Sequence, residues 1–176
     1  MPRDDGRTPG QLRAPTCVLS ELARPDGSAR FSLGGTTVLA AVYGPGDVDL
    51  RRELVDKAAV SVILHPLYGV DGPNERVLES KIEKVCSACI LRALYPRSLI
   101  SIALQVISDD GGLLSCAINA AFLALMDAGV AMRTIAFSVS VALLNGEILI
   151  DPSSSEESVC SPFFFSFSFY PLFCFV

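Results

Sequence analysis

The chain has 176 residues, 51% of them apolar and 19% charged, with a net charge of −5. That is enough chain for one domain with a real core, and too apolar a composition for a disordered one. The excess of acid excludes a free-standing protein that grips nucleic acid by its own charge, but leaves room for an acidic subunit whose partners supply the cations.

Residues 1–15 are rich in turn formers, lack periodicity and read as a flexible arm with no apolar leader segment. Arg24-Pro25-Asp26-Gly27 is a turn signal, because Pro sets φ early in the turn and Gly admits positive φ later. Ser28–Leu33 and Thr36–Tyr43, separated by Gly34-Gly35, predict a β-hairpin that Gly44-Pro45-Gly46 ends. Ala58–Leu64 is a third strand, closed by Pro66. The loop 67–74 follows, and Asn74 is placed to cap a helix with Glu75 favourably set against its dipole. Leu78, Ile82, Val85, Cys89 and Ile90 fall on one face of that helix, which stops before Pro96. Leu99–Ile107 is apolar and β-branched, the mark of a central strand, and Asp109-Asp110-Gly111-Gly112 breaks it. Leu113–Ala128 is apolar nearly all round and ends at Gly129, so this helix is expected to be deeply buried. Thr134–Leu144 is another strand, with Asn145-Gly146 turning into Glu147–Asp151. Two main helices on a mixed, largely antiparallel sheet give an α+β domain over residues 16–152.

Residues 153–176 break with this pattern. Seven of the ten Phe lie in the last fourteen residues, and no charge follows Glu157. Pro162 and Pro171 leave the run short of the ~20 residues that a bilayer helix needs, so no membrane segment is expected. Exposed, such aromatic sequence favours aggregation. The six cysteines are scattered through apolar runs and read as reduced thiols of a nuclear or cytosolic protein. Cys86-x-x-Cys89 has no second ligand pair at metal spacing, so it reads as two small residues on a buried helix face, and neither metal nor cofactor is expected.

An ordered set of motifs points to a family. Arg24-Pro25-Asp26-Gly27-Ser28 is followed by Gly35-Thr36-Thr37-Val38-Leu39-Ala40 and Val42-Tyr43-Gly44-Pro45. Tyr95-Pro96-Arg97, Asp110-Gly111-Gly112, Ile118-Asn119-Ala120-Ala121, Ala124-Leu125-Met126-Asp127-Ala128-Gly129-Val130 and Met132-Arg133 come after. Through residues 20–152 their order and spacing resemble RNase PH domains, and Leu113-Leu114 after the double Gly resembles subunits of the eukaryotic RNA exosome ring. The resemblance implies the RNase PH-like fold, with residues 153–176 standing where the family has its final strands and C-terminal helix. It also implies a ring of RNase PH-like subunits, RNA-binding cap subunits, RNA threaded through the assembly, and residence in nucleus, nucleolus and cytoplasm. Self-association outside a ring is left open.

Phosphorolysis must bring phosphate to a phosphodiester, so its site needs cationic or amide donors for the anion and a carboxylate near the scissile bond. Active relatives carry Thr-Arg after the double Gly, at the start of a helix whose free N–H groups suit an anion. The matching turn here is Gly111, Gly112, Leu113, Leu114 and Ser115, without the guanidinium. A second phosphate arginine of the family falls at or beside Glu83, with Lys84 adjacent but about 100° around the helix. Two lost charged contacts, at roughly 1.5–3 kcal/mol each, imply about 10²–10⁴ in rate. The family's catalytic aspartate lies beyond the strand ending at Asp151, in the segment that becomes Phe-rich here, so no catalytic residue is assigned.

Asp109-Asp110 reads as a strand-ending turn before a metal site, and His65 as a surface residue before an RNA contact. Arg76, Arg92 and Arg97 are candidates for RNA or subunit contact, against the plainer reading of solvated arginines. The leading expectation is a non-catalytic structural subunit of the exosome core ring, supporting 3′→5′ RNA processing and degradation, ribosomal RNA maturation included. A phosphate-dependent 3′→5′ exoribonuclease and a truncated product unable to assemble are the alternatives.

Overall fold

The computed structural model describes residues 3, 6–49, 52–69, 72–144, 147–159 and 161–171. The predicted hairpin is present: β2 (Gly27–Leu33) and β3 (Thr36–Gly46) pair antiparallel, with Leu33 opposite Thr36 and Gly34 at φ +60 in the turn. An additional strand, β1 (Pro15–Leu19), pairs antiparallel with β2. All five of its residues are exposed, so it carries no alternation by which a sequence could reveal it.

β4 (Ala59–His65) and β5 (Leu99–Ser108) run parallel, and β5 also pairs antiparallel with β3. The sheet order β1-β2-β3-β5-β4 makes it mixed and puts β5 inside it, as its apolar, β-branched character suggested. The crossover is α1 (Pro73–Cys89), whose cap differs from the expectation. Gly72 is the N-cap, Pro73 takes the first helical position, and the Glu75 carboxylate accepts the Gly72 N–H at 2.9 Å. Proline lacks the N–H that a helix start leaves unsatisfied, so it begins the helix one step before Asn74.

α2 (Leu113–Asp127) is buried on nearly every side, and Gly129 closes it at φ +68. The reason is its place between two sheets. It packs on β2 and β3 on one side and on β6 (Thr134–Leu144) on the other. Buried Asn119 fixes the second contact, donating to the Ser138 carbonyl and accepting the Ser138 N–H, both at 2.9 Å. β7 (Glu147–Ile150) pairs antiparallel with β6, and the expected Asn145-Gly146 turn between them lies outside the described residues.

Both ends of the chain differ from expectation. Residues 1–15 were expected to be a flexible arm, yet Arg3 and Arg13 are buried, and the Pro9 carbonyl accepts the Ile150 N–H at 2.9 Å. Their acidic partners lie some 140 positions away in the chain, where local composition cannot show them. Residues 153–176 were expected to stand apart from the domain. Instead α3 (Ser154–Val159) folds onto the β5–α2 turn, and β8 (Ser161–Pro171) pairs antiparallel with β6, giving the order β7-β6-β8. The register explains why this sequence extends the sheet. Phe165, Phe167 and Phe169 are the partners of Ser140, Ser138 and Ala136, the buried positions of β6. Among the described residues, no helix is long and apolar enough to cross a membrane.

Candidate functional site

The turn between β5 and α2 is built from two consecutive glycines in left-handed conformations, Gly111 at φ +88 and Gly112 at φ +69. Glycine is needed here twice over, since a Cβ on Gly111 would also lie 2.7 Å from the Ser154 nitrogen. Asp109 Oδ1 accepts the Gly111 N–H at 3.1 Å, so the acidic pair acts as a turn former, as its sequence suggested. Thr36 Oγ1 accepts the Asp110 N–H at 3.0 Å and donates to the Gly111 carbonyl at 2.7 Å.

Arg13 holds the turn from beneath. Its Nη1 and Nη2 donate to the carbonyls of Asp110 and Gly111 at 2.9 and 3.1 Å. The same guanidinium forks onto fully buried Asp151, with Nε 2.8 Å from Oδ2 and Nη2 2.7 Å from Oδ1. Asp151 also accepts the Arg13 backbone N–H at 3.0 Å. Such a buried pair is tolerated only when its remaining hydrogen-bond capacity is filled, as it is here.

The anion-facing groups are turned inward or already occupied. Ser115 is fully buried, and its hydroxyl lies 2.7 Å from the Gly112 carbonyl and 2.8 Å from Ser140 Oγ. Leu114 is buried and Leu113 half-buried, in place of any cation. The Gly112 N–H donates to Glu157 Oε1 at 2.7 Å, so a carboxylate of this chain sits at the start of α2. Burial pushes the Glu157 carboxyl above its ordinary range, outweighing the Gly112 amide that pulls it down. The neighbouring Glu156 is held well below, to about 2, chiefly by hydrogen bonds from the Arg3 guanidinium.

Glu157 is a carboxylate at this turn that the sequence reading did not single out. Its only sequence signal is Glu156-Glu157 between a Ser run and a Phe run. Arg3 and Arg13 had no signal at all.

Glu83 is not part of this constellation. It lines a cavity of about 530 Å³ with Arg52, Glu53, Ser61, Arg92 and Leu99, where β4 and β5 begin. The glycine turn follows the other end of β5, roughly 30 Å away for a ten-residue strand. Of the two missing guanidiniums, only the turn's own therefore counts at this place, roughly 1.5–3 kcal/mol rather than twice that. Arg92 is half-buried at the cavity, and Arg97 is exposed at the same end, 3.5 Å from Glu53. Arg76 is exposed in the first turn of α1, whereas Arg92 lies beyond the last turn of that helix, which ends at Cys89. The three arginines therefore do not form one patch. His65 is exposed at the end of β4. Cys86 and Cys89 are buried, desolvation pushing the Cys86 thiol up to about 12, which fits the small-buried-residue reading.

The model of the 3′ exoribonuclease family, domain 1, matches residues 11–131, and that of domain 2 matches residues 134–163. The second match runs past α3. A protein of Arabidopsis thaliana named exosome complex exonuclease RRP46 homolog is 41% identical over 162 residues, covering 92% of this chain and 68% of the relative. The Saccharomyces cerevisiae exosome complex component RRP46 is 37% identical over 143 residues, covering 76% of this chain and 64% of the relative. The crystal structure of rice (Oryza sativa) Rrp46 superposes with a TM-score of 0.89 at 34% identity, covering 97% of this chain and 86% of that one. An Archaeoglobus fulgidus exosome with RNA bound to the active site shares the fold, with a TM-score of 0.78 at 21% identity.

Proposed function

Because this chain belongs to the 3′ exoribonuclease family, the family of RNase PH domains, we propose that it is a structural subunit of an RNA exosome core ring. In that role it supports 3′→5′ RNA processing and degradation, ribosomal RNA maturation included, in the nucleus, the nucleolus and the cytoplasm. Its partners are other RNase PH-like ring subunits and RNA-binding caps, and RNA meets it through the assembly. The relatives' names, exosome components of plants and yeast, support the assembly.

One observation carries the non-catalytic part of the reading. The turn that would receive phosphate has leucines for cations, an inward-facing serine hydroxyl, and the Glu157 carboxylate on its Gly112 amide. A second anion there would meet the charge of the first. Incubating the purified chain, alone and within a reconstituted ring, with a 3′-labelled RNA and phosphate tests it. No phosphate-dependent release of nucleoside diphosphates is expected, and such release would overturn the reading.

Glu157 also favours a second reading, the phosphate-dependent exoribonuclease. A carboxyl raised by burial beside the turn has the protonation chemistry that a general acid needs, and this chain supplies it without help from another subunit. In that case diphosphate release appears with phosphate and disappears in Glu157→Gln. The truncated-product reading loses support from the backbone pairing of β8 along β6, since the final segment extends the sheet.

A further inference from the structure

The N-terminal segment and α3 are fastened to each other beside the glycine turn, and the way they are fastened suggests a conformational device. α3 has six residues, far too few to be stable by itself, so its anchors set its position. On one side Arg3 forks onto Glu156, with Nε 2.9 Å from Oε1 and Nη2 2.8 Å from Oε2. Arg3 also donates to the carbonyls of Ile150 and Asp151 at 3.0 and 2.7 Å. On the other side Glu157 accepts the Gly112 N–H. Adjacent helical residues point about 100° apart, so one short helix can present one carboxylate to the N-terminal segment and the next to the turn. α3 lies directly against that turn, since the Ser154 N–H donates to the Asp110 carbonyl at 3.1 Å.

We propose that Arg3 bolts α3 shut: through Glu156 it seats Glu157 on the Gly112 amide, so the start of α2 is covered or uncovered from the N-terminus. Arg3 is thereby a positioning residue, two contacts removed from the turn. A six-residue helix held by side-chain anchors opens more readily than a paired sheet, so this cover opens before the sheets do. Arg13 at the other end of the segment stays pinned to Asp151, so the opening is confined to the part before it. What the opening does for chemistry rests on the turn being a degenerate anion cradle; the opening itself does not.

Hydrogen exchange read by mass spectrometry on the full chain tests this, comparing wild type, Arg3→Gln, Glu156→Gln and the double variant. Exchange in the segments 109–116 and 150–159 is expected to rise roughly 10- to 100-fold in either single variant. The double variant should add little to Arg3→Gln, because the Arg3–Glu156 link is already cut there, while segment 99–107 stays protected. A rise confined to 150–159, with the turn still protected, overturns the proposal. So does an equal rise in all three segments, which is general destabilisation. Phosphorolysis is a separate readout, so the exchange result stands or falls apart from the functional reading.

Discussion

The two ends of β5 are built on opposite plans. Where β5 ends, the polar groups of Asp110, Gly111 and Gly112 are spent inside the molecule on Arg13, Thr36, Asp109 and Glu157. Where β5 begins, Arg52, Glu53, Glu83 and Arg92 rim an open cavity of about 530 Å³. Charge spent internally holds structure, and its loss leaves a buried partner uncompensated. Charge left on an open rim costs the fold little to change, and is available to whatever the rim meets. The difference between the ends should therefore appear first in stability.

Breaking the buried pair should have the largest effect. Asp151→Ala strands the Arg13 guanidinium away from water, and the expected loss is about 3–5 kcal/mol in urea unfolding. A loss below about 1 kcal/mol would mean that the closed end is not where stability resides. Gly111→Ala should come next, at about 2–3 kcal/mol. The new methyl would be forced into a left-handed residue and against the Ser154 nitrogen, 2.7 Å from the Cβ position. Limited proteolysis should then cut near α3 before it cuts elsewhere. Cleavage spread evenly over the chain would show that α3 does not depend on this close approach.

The legibility of the sequence divides along similar lines. The hairpin, β4, β5, the two long helices and β6 were visible, because each has a period or a stop signal carried by its own residues. The glycine turn was visible as a motif. Its contents were not, because Arg13, Asp151 and Glu157 come together only when the chain closes, and pairing across 45 to 138 residues leaves no local pattern. β1 was hidden by its uniform exposure. The pairing of the final segment was not foreseen because its aromatic density drew the reading, although Phe165–Phe169 carries the two-residue period of a strand. Glu83 shows the opposite failure: a motif alignment put it beside the phosphate turn, and the course of α1 carries it to the far end of the sheet.

Glu156 and Glu157 sharpen the comparison within the closed end, because their pH dependences have opposite signs. Glu156 is depressed from 4.5 to about 2 by Arg3, so its contribution is present above pH 4.5 and is lost as pH falls toward 2. Glu157 is raised above 4.5 by burial, so its contribution is present below pH 4.5 and is lost as pH rises through its folded value. Glu156→Gln should thus flatten the acid limb of a stability–pH curve between 4.5 and 2. Glu157→Gln should leave that limb alone and flatten the curve on the side above 4.5, with a change within about 1 kcal/mol at neutral pH. Identical curves for the two variants would show that the carboxylates do not face separate anchors.

The smallest effect should come from the open end. Arg92→Ala removes a half-buried side chain from the cavity rim, while the Arg92 carbonyl that accepts the Ala58 N–H at 3.0 Å is backbone and survives. A loss of only about 0.5 kcal/mol is therefore expected in the same urea titration. The packed part of the side chain is its stem, and Arg92→Met keeps much of it without the charge. If alanine costs more than about 1 kcal/mol and methionine restores the difference, Arg92 serves the fold through its stem. If methionine is as costly as alanine, the charge itself is used internally, and the two ends of β5 are no longer opposites.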